Sequence, residues 1–125
     1  MKELTKAEEQ VMKALWKIEK GVVHDIITEL PDPKPAYNTV STIVRILETK
    51  EFVSHKAYGK THEYFPIIEK KEYSKFYLSN FMEGYFGGSF KNLVSFFAEE
   101  NNLDVNELNE LIEIAKKDSK PTSNE

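Results

Sequence analysis

Ala7, Val11, Ala14, Leu15 and Ile18 recur at steps of three and four residues, a spacing that stacks them on one side of a helix. Met12 and Trp16 widen that stripe. Just ahead of it, Thr5-Lys6-Ala7-Glu8 has the form of a capping box, in which the threonine hydroxyl accepts from the Glu8 N–H while the glutamate reaches back. A first helix is expected to start there, with Gly21 supplying its stop. Trp16 reads as a core or interdomain anchor, in keeping with the usual burial of large aromatic side chains.

Val23, Ile26, Ile27 and Leu30 predict a second, shorter helix, ended by Pro31-Asp32-Pro33-Lys34-Pro35. Three prolines in five residues make either a stiff connector that fixes how the next helix is presented, or a plain surface loop. A third helix is expected from about Tyr37 to Lys50. Val40, Ile43, Val44 and Leu47 form its buried stripe, which leaves Asn38, Thr42, Arg45 and Thr49 on the opposite side, flanked by Ser41 and Ile46. A helix facing only water tends to carry Glu, Lys and Gln. Short hydroxyl and amide side chains around a single arginine are the types that reach base edges and phosphates.

The run from Phe52 to Pro66 holds two extended stretches, rich in aromatic and β-favouring residues, around a Gly59 turn, and predicts a hairpin. His55, Lys56, Lys60 and His62 put a small basic group on it. Three helices followed by a two-stranded hairpin is the winged-helix order, and a basic wing beside a hydroxyl-rich helix makes DNA the natural ligand.

From Glu69 to Tyr85 a further helix is expected, with Tyr73, Phe76, Tyr77, Phe81 and Met82 along one side; Phe86, Phe90, Leu93, Val94, Phe96 and Phe97 continue beyond a Gly87-Gly88 break. Burying one such side chain is worth roughly 1.5–3 kcal/mol, so a short arm that left several exposed would associate through them. The alternative is that they pack on the N-terminal part of the same chain. Asp104-Val105-Asn106-Glu107 offers a second capping box, followed by the amphipathic pattern Leu108, Leu111, Ile112 and Ala115. The dimerisation surface is therefore assigned to Phe76, Tyr77, Phe81, Tyr85, Phe86, Phe90, Leu93, Phe97, Leu108, Leu111 and Ile112. The expected organisation is mainly α with a small β-hairpin: a winged helix-turn-helix domain over 1–69, a helical dimerisation domain over 70–117 and a disordered tail over 118–125.

Composition narrows the class. With 125 residues there is room for one ordinary domain, or a small domain plus an appendage that buries its apolar surface on another copy. Hydrophobic content of 40% and charged content of 30% are globular values, and no apolar run approaches the roughly 20 residues of a membrane span. The N-terminus has no signal-peptide pattern, so a cytoplasmic location is expected. The absence of cysteine removes disulfides, thiolate metal sites and thiol catalysis. A net charge of −4 argues at first against nucleic acid, but its distribution matters more than its sum. Through Lys70 there are 11 basic and 11 acidic residues; beyond it there are 6 and 10, so the negative excess lies in the C-terminal part.

Taken together, Leu4-Thr5-Lys6-Ala7-Glu8, Val11-Met12 and Leu15-Trp16, the stretch Thr39-Val40-Ser41-Thr42-Ile43-Val44-Arg45-Ile46-Leu47, and Phe52-Val53, Gly59-Lys60 and Tyr64-Phe65-Pro66 resemble the penicillinase-repressor (BlaI/MecI/CopY-type) family of winged-helix regulators. Tyr85-Phe86-Gly87-Gly88-Ser89 with Leu93-Val94 and Phe97 is similar to that family's dimerisation region, so the resemblance covers nearly the whole chain. It implies a homodimer that sits on a palindromic operator and blocks transcription. In the antibiotic-resistance members, release follows cleavage in the dimerisation arm after signalling by a membrane-embedded metalloprotease sensor. Their Asn-Phe cleavage step corresponds here to Phe96-Phe97, the candidate cleavage region. Copper-responsive members use C-terminal cysteine pairs, which this chain lacks. An arginine usual near the end of the third-helix pattern is Ile46 here, with Arg45 one position earlier, so the operator sequence does not carry over.

The functional expectation is a sequence-specific repressor, without membrane insertion, in which Tyr37, Asn38, Thr39, Ser41, Thr42 and Arg45 meet bases or nearby phosphates and Lys56 and Lys60 hold the flanking backbone. A winged-helix protein-interaction module is the alternative, which the acidic overall charge permits. No enzyme is indicated, because His24, His55 and His62 are spread over a helix and a hairpin without a motif that supplies a partner group. No cofactor is expected either. His55 and His62 alone would fill only half a tetrahedral metal shell.

Overall fold

The computed structural model describes residues 1–101 and 104–119, and their side chains except at 111, 112 and 115–119. The described elements run α1 (Lys6–Ile18), α2 (Val23–Glu29), α3 (Tyr37–Thr49), β1 (Val53–Tyr58), β2 (Thr61–Pro66), α4 (Lys70–Phe86), α5 (Phe90–Glu100) and α6 (Val105–Ser119). This is the expected class: helices with one antiparallel hairpin in winged-helix order. The chain divides into two compact units, Met1–Leu78 and Ser79–Glu125.

In the first unit the apolar stripes of α1, α2 and α3 converge. Val11, Met12, Leu15, Ile26, Val40, Val44 and Leu47 are enclosed with Phe52 and Val53 from the start of the hairpin. At roughly 1.5–3 kcal/mol per buried side chain, this cluster is what fixes the orientation of α3. The capping box at Thr5 forms as the spacing predicts: Glu8 N–H donates to the Thr5 hydroxyl at 3.2 Å and Thr5 N–H to the Glu8 carboxylate at 2.9 Å. Glu8 then does something local spacing does not reveal. Its side chain is buried and takes the Lys50 ammonium at 2.8 Å, linking the first turn of α1 to the end of α3.

The stop of α1 is a correction. Glu19, at φ +73°, turns the chain out of the helix, and its N–H donates to the Leu15 carbonyl. Gly21 serves instead as a short bridge to the hairpin, exchanging both backbone hydrogen bonds with Tyr64 at 2.9 and 2.8 Å. A Cβ at Gly21 would lie 2.9 Å from both Asp25 Cβ and Ile18 Cδ1, so only glycine lets the backbone come this close.

β1 and β2 pair antiparallel from Val53↔Pro66 to Tyr58↔Thr61, joined by the two-residue loop Gly59-Lys60. Gly59 has φ +64°, the left-handed conformation such tight hairpin loops require at this point. After the hairpin, Trp16 Nε1 donates to the Ile68 carbonyl at 2.8 Å, so the indole is an anchor between α1 and the chain leading into α4. The Tyr73 hydroxyl accepts from Leu4 N–H at 2.9 Å and donates to the Glu9 carboxylate. Tyr73 thereby joins the N-terminal core, with Phe76 half-buried against it.

In the second unit, Gly87 and Gly88 end α4 with positive φ, and Gly88 N–H returns to the Met82 carbonyl at 2.9 Å, satisfying one of the open carbonyls of the last turns. Ser89 caps α5 through Asn92 N–H. Asp104 and Glu107 form the reciprocal capping box at the start of α6, at 2.8 and 3.2 Å. α6 continues to Ser119, taking in the first two residues of the expected tail, and residues 120–125 lie outside those described.

Candidate nucleic-acid interface

The buried stripe of α3 dictates which residues can face outward. Val40, Val44 and Leu47 are enclosed, whereas Tyr37, Asn38, Thr39, Thr42, Arg45, Ile46 and Thr49 are exposed and Ser41 is half-buried. Thr49 turns its hydroxyl back to the Arg45 carbonyl at 3.1 Å, leaving Asn38, Thr42 and Arg45 as the outward polar ridge. Lys56 and Lys60 are exposed on the hairpin, with the Lys56 ammonium 5.4 Å from the centre of the Tyr58 ring.

Two periodicities meet beside this ridge. Tyr37, Ser41 and Arg45 follow one another at four-residue steps along α3, and Lys60, His62 and Tyr64 alternate along the hairpin; together they line a cleft of about 310 Å³ closed on its third side by the start of α2. The structure thus brings four of the expected contact residues, Tyr37, Ser41, Arg45 and Lys60, into one recess. Asn38, Thr39, Thr42 and Lys56 lie outside it. His24, Thr61 and His62 complete it and were not among the expected contacts. The two-residue alternation from Lys60 to Tyr64 was a signal that could have placed His62 there.

The charge distribution favours an anionic partner on this side. Lys17 pairs with Glu29 at 2.9 Å, Lys50 with Glu8 at 2.8 Å, and Lys34 lies 3.9 Å from Asp32. Among the described residues Arg45, Lys56 and Lys60 form no salt bridge. His55 stacks on His62, ring centres 4.1 Å apart and planes 10° from parallel, and its Nδ1 lies 2.8 Å from the Glu48 carboxylate. Burial pushes the Tyr64 phenol upward from its ordinary pKa, the Glu48 charge adds to this and Arg45 opposes it, so the phenol at the back of the cleft stays neutral. No group of three or more His, Cys, Asp or Glu side chains suited to a metal is found among the described residues.

Comparison with known proteins then decides the family. Residues 4–117 match the family described as penicillinase repressor. The chain belongs to that family. Over 116 residues it is 28% identical to the methicillin resistance regulatory protein MecI of Staphylococcus aureus (strain N315), covering 92% of this chain and 94% of that protein. Over 113 residues it is 27% identical to the penicillinase repressor of Bacillus licheniformis, covering 90% of this chain and 88% of that protein. The solution structure of the DNA-binding domain of the repressor BlaI superposes with a TM-score of 0.50 and 28% identity, over 58% of this chain and 94% of that domain.

The residues assigned to dimerisation fall into two settings in this member of the penicillinase repressors. Phe76 lies against the N-terminal core, while Tyr77 is exposed at the end of the same unit. In the second unit Tyr85 is 76% and Phe90 64% exposed, with Phe81, Phe96 and Phe97 also open; Phe86, Leu93 and Leu108 are half-buried. Phe86 meets Phe96 with ring centres 5.7 Å apart. The side chains of Leu111 and Ile112 lie outside those described. Phe96 and Phe97 sit within α5 rather than in an extended segment. Among the described residues no helix is long and apolar enough to cross a membrane.

Proposed function

We propose that the chain is a sequence-specific DNA-binding transcriptional repressor that works in the cytoplasm as a homodimer on a two-fold symmetric operator. The observation that carries this reading is the division of α3: three enclosed aliphatic residues hold the helix, and Asn38, Thr42 and Arg45 stand outward beside a basic hairpin. Amide and hydroxyl groups with one guanidinium suit base edges in the major groove, where arginine reads guanine through two hydrogen bonds. Lys56 and Lys60 reach the flanking phosphates. Membership of the penicillinase repressors and likeness to a repressor's DNA-binding domain support the same conclusion.

Dimerisation is assigned to the aromatic surface of the second unit. Tyr85, Phe90 and Phe97 present more open aromatic area than a stable monomer of this size tends to leave in water. Release from the operator is assigned to a membrane-embedded metalloprotease sensor system, with Phe96-Phe97 as the region where cleavage would act. Because that pair is helical, cleavage would require α5 to open locally.

Selection of duplexes from a random pool by the purified protein, followed by sequencing, tests the reading. The expected product is a motif with two-fold symmetry. Arg45→Ala should weaken binding to it by about 1–3 kcal/mol and relax preference at one position in each half-site. Lys60→Ala should weaken binding to all duplexes and flatten the salt dependence. Retained self-association with no enriched motif at low salt would instead make the chain a protein-interaction module.

A further inference from the structure

The cleft beside the α3 ridge carries a second assignment. We propose that it seats one phosphodiester of the DNA backbone, and that His62 is a ligand to that phosphate which takes up a proton as the duplex binds. The inference rests on the DNA reading above and deepens it by naming a contact which that reading leaves unassigned.

The donor set is the first argument. Lys60 supplies fixed positive charge, Tyr37, Ser41 and Thr61 bring hydroxyls and His62 an imidazole, while Arg45, assigned above to a base, adds its field to the recess rather than a hydrogen bond to the phosphate. None of the described lining residues is a carboxylate, in a chain whose net charge is −4. A recess that gathers cations and hydroxyls and omits acids is built for an oxyanion, and charge-assisted hydrogen bonds to phosphate oxygens are the strong kind. Its position fits as well. It opens between the helix that would read the bases and the hairpin that would follow the backbone.

The histidine stack supplies the second argument. His62 faces His55 and Tyr64 on the sheet, Lys60 at the turn, Arg45 on α3 and His24 across the cleft; Glu48 lies beyond His55. Two parallel imidazoles at 4.1 Å repel each other once both are charged. Glu48 lies 2.8 Å from His55, whereas no described carboxylate stands against His62. A phosphate seated in the cleft supplies that missing anion. Binding and protonation are then linked, so the contribution of His62 is present at lower pH and fades as pH rises through the range in which histidine changes charge.

The test uses the full chain and a mixed-sequence duplex, because a backbone contact needs no particular operator. Anisotropy titrations at low salt should show affinity about fivefold weaker at pH 8 than at pH 6 for the unaltered protein. H62Q should lose most of that difference. K17Q, which alters a lysine paired with Glu29, should keep it. Calorimetry in two buffers of different ionisation enthalpy should show net proton uptake that H62Q abolishes, and circular dichroism should show both variants folded. Duplex binding without proton uptake, or with uptake unchanged in H62Q, overturns this inference and leaves the DNA reading standing. Failure to bind any duplex overturns both. Inorganic phosphate distinguishes the source of the anion: at constant ionic strength it should displace duplex only weakly, and displacement with an affinity matching that of the duplex would overturn assignment to the backbone.

Discussion

The Glu8 carboxylate meets the Lys50 ammonium at 2.8 and 3.0 Å across 42 positions of sequence. The glutamate is also half of the capping box of α1, so one buried side chain both starts the first helix and ties down the end of the third. K50M would leave the carboxylate buried without its cation and should destabilise the protein by about 1.5–3 kcal/mol in urea unfolding. E8Q combined with K50M should cost less than the sum of the two single changes, since neither then leaves an unpaired charge. Strict additivity would show that the pair is not coupled.

The same pair sets an acid limit. Burial alone would raise the Glu8 carboxyl, but hydrogen bonds from Lys50 and Thr5 and the charge of Lys50 outweigh it and hold the pKa below its ordinary 4.5. The stabilisation is therefore complete above that ordinary value and is lost as pH falls through the lower, folded-state value. Melting temperature should drop as pH falls below about 4.5, and E8Q should flatten that drop. An identical profile for both proteins would place the acid-sensitive group elsewhere.

Tyr73 should be intolerant of losing one oxygen. Y73F would leave the Leu4 N–H, which the phenol now satisfies at 2.9 Å in a buried setting, without a partner, at a cost of about 1–3 kcal/mol. Hydrogen exchange would reveal it as faster exchange of the Leu4 amide.

G21A should destabilise by about 1–3 kcal/mol, because the added methyl would press on Ile18 and Asp25 at 2.9 Å. Urea unfolding measures the cost. Loss of protection at the Tyr64 amide would show that the bridge itself has been broken.

What could be read from the chain was what local geometry controls. The stripe of Val40, Val44 and Leu47 fixed which side of α3 is buried, both capping boxes lay within four residues, and the Gly87-Gly88 break announced itself. Contacts between distant segments were not legible. Nothing in the spacing of Glu8 names Lys50 as its partner, and Gly21 looked like a helix stop because its bridge to Tyr64 depends on how the hairpin folds back. Tyr73 shared a helical stripe with the arm aromatics, so periodicity could not separate it from them; its hydroxyl's reach to Leu4 did. For the candidate interface, the α3 ridge was visible from one element, whereas the cleft needed three brought together.

The exchange of hydrogen bonds between Gly21 and Tyr64 gives β2 neighbours on both edges at that residue. A strand held from two sides cannot slide past one neighbour without also tearing from the other. A one-residue slide would swap the two faces of the ribbon, carrying Tyr64 out of the core and turning Lys60 and His62 away from α3. That small clasp therefore sets which face of the ribbon offers its cations, and it does so from the back of the same cleft, through a residue that need not touch the duplex itself.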